Sequence, residues 1–226
     1  MGYEWDFGVV FRDFDLLLLG LVNTLKVTGL ALLFGVPLGL VLALLRLSRH
    51  GMIRIPVGIV IEFLRSTPPL VQLFWLFFAL PILTGINITP FIASVVTFSL
   101  QSSAFFAEVF RGGIVSIEKG QWEAAKAIGM DRGQSMRRVI LPQAVKRMIP
   151  AFLERVIELM KTTTLVATVS YADLLYEANT IAQATFRPLE VFTVAAAMYF
   201  AVLFPVSLFV RRLERRLGRT GEGTVH

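Results

Sequence analysis

A polar stripe near residue 160 holds the side chains best suited to binding chemistry in this chain. Glu154, Glu158 and Lys161 follow one another at steps of four and three residues, so they share one face of a helix. Hydroxyls at residues 162–164 and the guanidinium of Arg155 lie beside them. Charges of both signs next to hydroxyls complement a zwitterionic solute, but the same groups can also form an ion-pair network that fixes helix packing. The sequence leaves both interpretations open.

A second candidate lies in residues 123–142, EAAKAIGMDRGQSMRRVILP, a polar and positively charged segment between long apolar runs. Gly129 can end a short helix, and Asp131 can then cap a second helical stretch over 132–139, ahead of Pro142. We expect the first helix either to be gripped by another protein or to pack on its own chain. Its small and apolar side chains would form the contact face: Ala124, Ala125, Ala127, Ile128 and Met130.

Other kinds of chemistry find no support in the sequence. There is no cysteine, and the two histidines, His50 and His226, lie far apart, so no group of residues has metal-ligand spacing. No stretch matches the Walker A pattern that holds nucleotide phosphates. The sequence therefore predicts no metal or cofactor in this chain, and any ATP that drives it would bind to another chain.

Long apolar runs must position the candidate residues. The chain has 226 residues, is 55% hydrophobic and has a mean hydropathy of +0.70. A soluble domain rarely carries so much unbroken apolar sequence, whereas a helix of about 20 apolar residues crosses a bilayer. We predict an all-α polytopic membrane protein that forms a single domain over 1–226. Its five predicted spanning helices cover about Leu17–Arg46, Pro56–Leu80, Phe91–Ile114, Ala144–Val169 and Leu189–Val210.

The charges of the predicted loops orient these helices. Most of the 22 lysines and arginines fall in alternate loops and in the tail, and cytoplasmic loops are the ones enriched in such residues. We therefore expect 1–16 to be an external N-terminal segment, 17–210 the helical core and 211–226 a cytoplasmic basic tail. The segment 120–142 would then lie inside the cell. The basic residues of the expected cytoplasmic side are Arg46, Arg49, Arg54, those of the loop 111–147, Arg211, Arg212, Arg215, Arg216 and Arg219.

Polar residues within the predicted spans each need a partner, a water cavity or a role. Glu62 and Arg65 are spaced to pair on one helical face, which favours a kink sealed by an ion pair where Pro68 and Pro69 break the second span. The serines of the third span suit close helix packing as well as they suit a solute path. The residues predicted to line a substrate path are Gln72, Ser102, Ser103, Glu158, Lys161, Thr162 and Thr163.

Several strings along nearly the whole chain carry a resemblance to a known family. They are GLVNTLKVT (20–28), EFLRSTPPLVQL (62–73), QSSAFFAEVFRG (101–112), GQWEAAKAIGMDRGQSMRRVILP (120–142) and KTTTLVATVSYADL (161–174). Together they resemble the permease subunits of polar-amino-acid ABC importers, the histidine/glutamate/glutamine/arginine/opine group. The string at 120–142 resembles the EAA loop of ABC importers in general. The pattern of Arg155 and Glu158 matches no single substrate.

The resemblance implies a transport subunit that is not an enzyme. It implies a dimer of permeases, identical or related, in a bacterial cytoplasmic membrane, with a coupling helix at about Gln121–Met130 on each. Its partners would be two ATP-binding subunits that bind ATP and Mg, an external solute-binding protein near Ser170–Pro188, membrane lipid and an amino-acid substrate, but no nucleic acid. The residues expected to couple to the ATPase are Glu123, Ala124, Ala125, Gly129, Leu141 and Pro142.

Two other classes of protein remain as alternatives. A membrane-embedded enzyme or electron carrier would need paired catalytic carboxylates, a histidine pair or an activated nucleophile, and the sequence has none of these patterns. An ion-gradient-driven secondary transporter or channel would often carry inverted repeats, which are not visible either.

Overall fold

The computed structural model describes residues 3–218, and all the regular structure in that range is helical. A short helix α1 (Gly8–Arg12) leads into α2 (Phe14–Arg46). The following helices are α3 (Gly51–Ser66), α4 (Pro69–Phe74), α5 (Leu80–Thr84), α6 (Pro90–Val115), α7 (Lys119–Ala127), α8 (Arg132–Ser135), α9 (Leu141–Thr162), α10 (Leu174–Thr185) and α11 (Pro188–Gly218). Residues 219–226, with Arg219 and His226 of the predicted tail, lie outside the described residues, as do Met1 and Gly2.

Three of the described helices are long and apolar enough to cross a bilayer: α2, α6 and α11 over Pro188–Leu213. The bent pair formed by α3 and the stretch Pro69–Thr84 meets the same criterion when it is counted as one span. Helix α9 coincides with most of the fourth predicted span but carries many more charges than these helices. The described helices therefore confirm a helical membrane protein, while the count of five spans stays a prediction.

The second predicted span, 56–80, is broken rather than merely kinked. Its first part, α3, already begins at Gly51 and stops at Ser66. Pro68 has an extended backbone (φ −56°, ψ 135°), and Pro69 opens α4 at a position where a proline costs no hydrogen bond. The Gln72 amide Nε2 donates to the carbonyl of Thr67 at 3.0 Å, so this side chain satisfies a backbone group exposed by the break.

Two π-helical turns, Trp75–Ala79 and Met136–Ile140, each end two residues before a proline, Pro81 and Pro142. Leu80 and Leu141 donate their amides five residues back, to Trp75 and Met136. A proline has no amide hydrogen to continue the usual ladder, and a widened turn absorbs the lost bond without ending the helix.

The fourth predicted span, 144–169, also differs in its second half. The α-helix ends at Thr162, and Thr163–Val169 form a 3₁₀ turn. The hydroxyls of Thr163 and Thr164 donate to carbonyls three residues back, each at 2.8 Å. Such side-chain bonds compete with the α-helical ladder, which explains the change at the threonine run.

The helices contribute to two compact units, each assembled from separate stretches of chain. Unit 1 comprises the described residues up to Leu33, Thr67–Ser99 and Ile157–Val206; unit 2 comprises Phe34–Ser66, Leu100–Val156 and the residues from Ser207 onward. Unit 1 has a core around Leu17, Leu174 and Val191. Unit 2 has a core around Ile61 and Ala104, and a second cluster around Ile117 and Ile140.

Candidate functional site: the connecting segment and the polar stripe

Helix α7 ends in a left-handed glycine cap, as the sequence predicted. Gly129 has φ +80°, a conformation that costs a glycine nothing. Its amide donates to Lys126 O at 3.0 Å, and the amide of Met130 donates to Ala125 O at 3.1 Å. This pair of bonds is the Schellman arrangement, which satisfies the last carbonyls of a helix. The end of α7 is therefore fixed by Gly129.

The next helix begins with the predicted cap at Asp131. Its carboxylate Oδ1 accepts the amide of Gln134 at 2.9 Å, and the Gln134 side chain accepts the amide of Asp131 at 3.2 Å. These two bonds form a capping box. The expectation that this stretch ends at 139, ahead of Pro142, is wrong, because the π turn before Pro142 lets the helical chain continue into α9.

The predicted apolar face of α7 is divided between two sides of the helix. Ala125 is only 2% exposed, and Trp122 packs on the cluster of unit 2 formed by Ile117, Ile140, Ala144 and Met148. Ala124, Ala127 and Ile128 point away and are exposed, Ile128 by 72%. One side of α7 therefore packs on its own chain, and docking of another protein on the open side stays a prediction.

Polar contacts add to this anchoring. The side chain of Gln143 in α9 donates to Gln121 Oε1 at 3.1 Å. Arg147 donates to the carbonyl of Ser116 at 2.6 Å and lies 3.8 Å from the carboxylate of Glu118. These contacts tie both ends of the loop before α7 to the first turns of α9. Leu141 and Pro142, at the start of α9, are exposed, as is Glu123 in α7.

The polar stripe of α9 lies on an exposed side of this chain. Glu154, Glu158 and Lys161 are all exposed, and Thr162 is half-buried, with its hydroxyl donating to Glu158 O at 2.9 Å. Thr163 differs, since it is fully buried in unit 1 with its hydroxyl 3.2 Å from that of Thr28. The stripe as a whole faces outward from the chain, whereas Thr163 faces its core.

Two of the serines predicted to line a path are buried in unit 2. Ser103 donates to Leu100 O at 2.7 Å, and Ser102 is buried beside it. Gly39 of α2 packs directly on this helix, because a Cβ built there would lie 2.7 Å from Phe106 Cβ and 2.8 Å from Ser103 O. Close packing of small residues, the alternative stated above, accounts for this contact.

Sequence reasoning missed Phe105 as a centre of charge contacts in unit 2. The guanidinium carbons of Arg155 and Arg65 lie 4.6 and 5.7 Å from the centroid of its ring. An aromatic ring face attracts cations, and the attraction strengthens where water is scarce. The expected pair of Arg65 and Glu62 is present at 3.4 Å, and in the same unit Arg111 lies 2.6 Å from Glu108. A phenylalanine within a helix rich in phenylalanine carries no sequence signal for this role.

Sequence reasoning also missed a clamp near the N-terminus. The carboxylate of Glu190, at the start of α11, accepts the Tyr3 hydroxyl at 2.6 Å and the Asp6 amide at 3.1 Å. Arg187 lies 3.4 Å from the same carboxylate and donates to the carbonyl of Glu4 at 2.8 Å. The partners are more than 180 positions apart in the chain, so no local pattern could have indicated them.

Across residues 3–218, no group of His, Asp and Glu could hold a metal ion.

The described residues thus form a helical membrane protein with an exposed loop helix and an exposed charged stripe. Residues 35–219 match the family described as binding-protein-dependent transport system inner membrane component. The chain is 36% identical over 216 residues to the glutamine transport system permease protein GlnP of Escherichia coli, covering 95% of this chain and 98% of that protein. It is 32% identical over 214 residues to the probable amino-acid ABC transporter permease protein YckA of Bacillus subtilis, covering 95% and 94%.

A solved structure agrees with these relatives. The crystal structure of an amino acid ABC transporter with histidines contains a chain that superposes with a TM-score of 0.89 at 36% identity, covering 95% of this chain and all of that one. The protein belongs to the family of inner-membrane components of binding-protein-dependent transport systems. It is therefore a membrane-embedded transport component and not an enzyme, as the sequence predicted, and its family works with an ATPase and a substrate-binding protein.

Proposed function

We propose that this chain is the permease subunit of an ATP-driven importer for a polar amino acid. Membership of the family, and relatives named for glutamine and amino-acid transport, support this class of solute. An external binding protein delivers the amino acid, and two ATP-binding subunits on the cytoplasmic side bind ATP and Mg. The chain itself supplies the path and binds no cofactor.

The coupling contact is the exposed side of α7. The open face at Ala124, Ala127 and Ile128, next to Glu123, supports docking of an ATP-binding subunit. On the opposite side Ala125 is buried and Trp122 packs on the cluster around Ile117 and Ile140, which holds α7 within unit 2. Motion of the ATPase then reaches the membrane helices directly, because the packed contact transmits displacement instead of absorbing it.

The polar stripe of α9 supports the solute path. Glu154, Glu158 and Lys161 cannot face lipid, since charged side chains in hydrocarbon are costly. In this chain alone they are exposed, so either water or a second permease covers them. We assign α9 as the remaining span of five, with its stripe on the path; its 22 residues extend roughly 33 Å as an α-helix. The N-terminus is then external and the C-terminus cytoplasmic, and two permeases, identical or related, face each other.

Reconstitution tests this function. The chain is purified with the ATP-binding subunit and the binding protein of the same organism, placed in proteoliposomes and supplied with radiolabelled amino acids. We expect uptake that requires ATP and the binding protein. Uptake driven by an ion gradient in the absence of the ATPase would refute the proposal in favour of a secondary transporter.

The docking contact has a separate test. The substitution Glu123→Lys reverses an exposed charge on α7 and should reduce co-purification of the ATP-binding subunit while the permease remains inserted in the membrane. Lys119→Glu, an equally exposed charge reversal at the start of the same helix, is the matched control. Equal co-purification of the ATP-binding subunit with the original chain and with Glu123→Lys would show that this face is not the docking site.

The substitution Glu158→Gln tests the path assignment, because it removes one charge of the stripe while keeping the size of the side chain. We expect weaker uptake with an altered preference between cationic and neutral amino acids, while the ATP-binding subunit remains bound. Glu62→Gln, an exposed carboxylate of α3 outside the stripe, is the control. Identical uptake and preference in the two variants would exclude a role of Glu158 in the path.

A further inference from the structure

The segment between the 3₁₀ turn and α11 is bounded by two unusual backbone conformations. Ser170 has φ +59° and Phe186 has φ +55°, and they are the non-glycine residues with positive φ in the range 3–218. Left-handed backbone costs free energy in any residue with a side chain and persists only where surrounding contacts hold it. The segment 171–185, which contains α10, is therefore set apart from its neighbours by two sharp turns.

Its first residues are fastened to α2 of the same unit. Gly20 permits the closest approach, because a Cβ there would lie 2.8 Å from the carbonyl oxygen of Asp173. The Asn23 amide donates to Ala172 O at 2.8 Å, and the Thr24 hydroxyl accepts the amide of Leu174 at 3.2 Å. Gly20, Asn23 and Thr24, on adjacent turns of α2, thus contact the backbone at the N-terminal end of α10.

The carboxyl group of Asp173 lies inside this junction and is fully buried. Its Oδ1 accepts the amide of Tyr176 at 2.9 Å and so caps α10. Its Oδ2 has no hydrogen-bond partner, and neither does the buried hydroxyl of Tyr199, which α11 contributes to the same core. A buried carboxylate with one capping hydrogen bond and one oxygen without a partner raises the free energy of the folded protein when it is charged, and does so much less when it carries a proton.

The groups around Asp173 do not neutralise that charge. Tyr199 on α11, Tyr171 just before the cap and Glu177 within α10 face it with hydroxyls and a further carboxylate, while α2 presents the uncharged Asn23 and Thr24. The exposed ammonium of Lys26 in α2 donates to Asn23 Oδ1 at 3.3 Å. Burial is the main cause that raises the pKa of Asp173, to about 7, and Glu177 adds to it against the lowering effect of the backbone amides.

We propose that Asp173 is a proton-binding site that controls the docking of α10. With the proton bound, the neutral carboxyl stays in the junction and the segment 171–185 remains packed on α2 and α11. When the proton leaves to water, the negative charge favours release of the capped end of α10, and the turns at Ser170 and Phe186 are the points about which the segment moves. This regulation does not depend on which solute the protein carries.

Cysteine labelling tests the proposal directly, since the chain has no cysteine of its own. Ala178→Cys places a reporter at a fully buried position on the docked side of α10, and Thr180→Cys places a reference thiol at an exposed position of the same helix. The assembled complex is labelled with a maleimide at a series of pH values. The ratio of the two labelling rates removes the pH dependence of the thiol itself. Ala182→Cys, also buried, replaces the reporter if Ala178→Cys prevents assembly.

We expect the ratio to rise by up to about tenfold per pH unit below about pH 7 and to level off above it, because one proton separates the docked and released states. Asp173→Asn keeps the capping oxygen but cannot ionise, so its ratio should stay flat; Asp173→Ser serves the same purpose if the asparagine variant does not assemble. Glu177→Gln should keep the rise. A flat ratio in the chain that retains Asp173, or the same rise in Asp173→Asn, overturns the proposal. Since labelling needs neither transport nor ATP, such a failure is distinct from failure of the proposed function.

Discussion

The division of α7 into a packed side and an open side makes a quantitative prediction about Ile128. This side chain is 72% exposed in the isolated chain, so truncating it to alanine should change the free energy of unfolding by less than about 0.5 kcal/mol. If an ATP-binding subunit covers it, the same truncation removes most of a buried isoleucine from the interface. Full burial of such a side chain contributes roughly 1.5–3 kcal/mol, so we expect a loss of about 1–2 kcal/mol of binding free energy.

A loss of that size corresponds to a dissociation constant of the ATP-binding subunit from α7 that is roughly tenfold higher. The assay is titration of the ATP-binding subunit onto the permease held in lipid nanodiscs, with thermal unfolding of the permease measured in parallel. The matched control is Ile86→Ala, since Ile86 is also an exposed isoleucine, 61% accessible, in the loop between α5 and α6 that we expect outside the cell.

The opposite side of α7 gives the contrasting result. Ala125→Leu places a larger side chain at a position that is only 2% exposed and should lower the stability of the permease by about 1–3 kcal/mol through overpacking. If Ile128→Ala binds the ATP-binding subunit within twofold of the original chain, or if Ile86→Ala weakens binding equally, the assignment of the open side as the docking face is wrong.

Three further predictions concern contacts within the two units. Gly39→Ala should lower the unfolding temperature, because its Cβ meets Phe106 and the Ser103 carbonyl, whereas Gly29→Ala, which meets nothing within 4 Å, should be neutral or stabilising. Asp173→Asn should leave the stability of the protein unchanged at acidic pH. Because the pKa of Asp173 in the folded protein is raised to about 7, the unfolded chain loses its proton first, and the stability of the original chain falls between about pH 4 and pH 7. Above that range the asparagine variant should therefore be the more stable of the two. Equal pH profiles for the two chains would contradict this expectation. Glu190→Gln should speed amide exchange at Asp6, measured by mass spectrometry, and unchanged exchange would show that the clamp does not hold the N-terminal segment.

The local signals in the sequence were sufficient for the end of α7 and the start of α8. A glycine after an alanine-rich run and an aspartate three residues before a glutamine each specify one backbone arrangement through short-range bonds. Prolines inside a helical pattern were a weaker guide. Pro142 looked like a stop signal, yet a π turn carries the helix past it, and only the geometry of the preceding turn distinguishes the two outcomes.

Longer-range features could not be predicted because they depend on which helices meet. The face of α7 was assigned as one apolar surface, although Ala125 and Ile128 lie on different sides of the helix once Trp122 is packed. Thr163 was grouped with Thr162 because they are neighbours in the chain, whereas the 3₁₀ turn buries only the former. Asp173 gave no warning of its burial, since a capping aspartate is more often exposed to water.

The charged stripe of α9 gives the strongest physical reason to expect a larger assembly. Glu154, Glu158 and Lys161 are exposed on their own chain, and with α9 as the proposed fifth span, hydrocarbon would not solvate them. Water in a cavity or polar groups of another chain must therefore cover them, and a cavity of that kind needs a second wall. The proposed docking on the open side of α7 has a different source of affinity, because covering the 72% exposed side chain of Ile128 would remove apolar surface from water. Two exposed surfaces of different chemistry, one charged and one apolar, call for two kinds of neighbour, which is the composition expected of a permease with a partner permease and a separate ATPase.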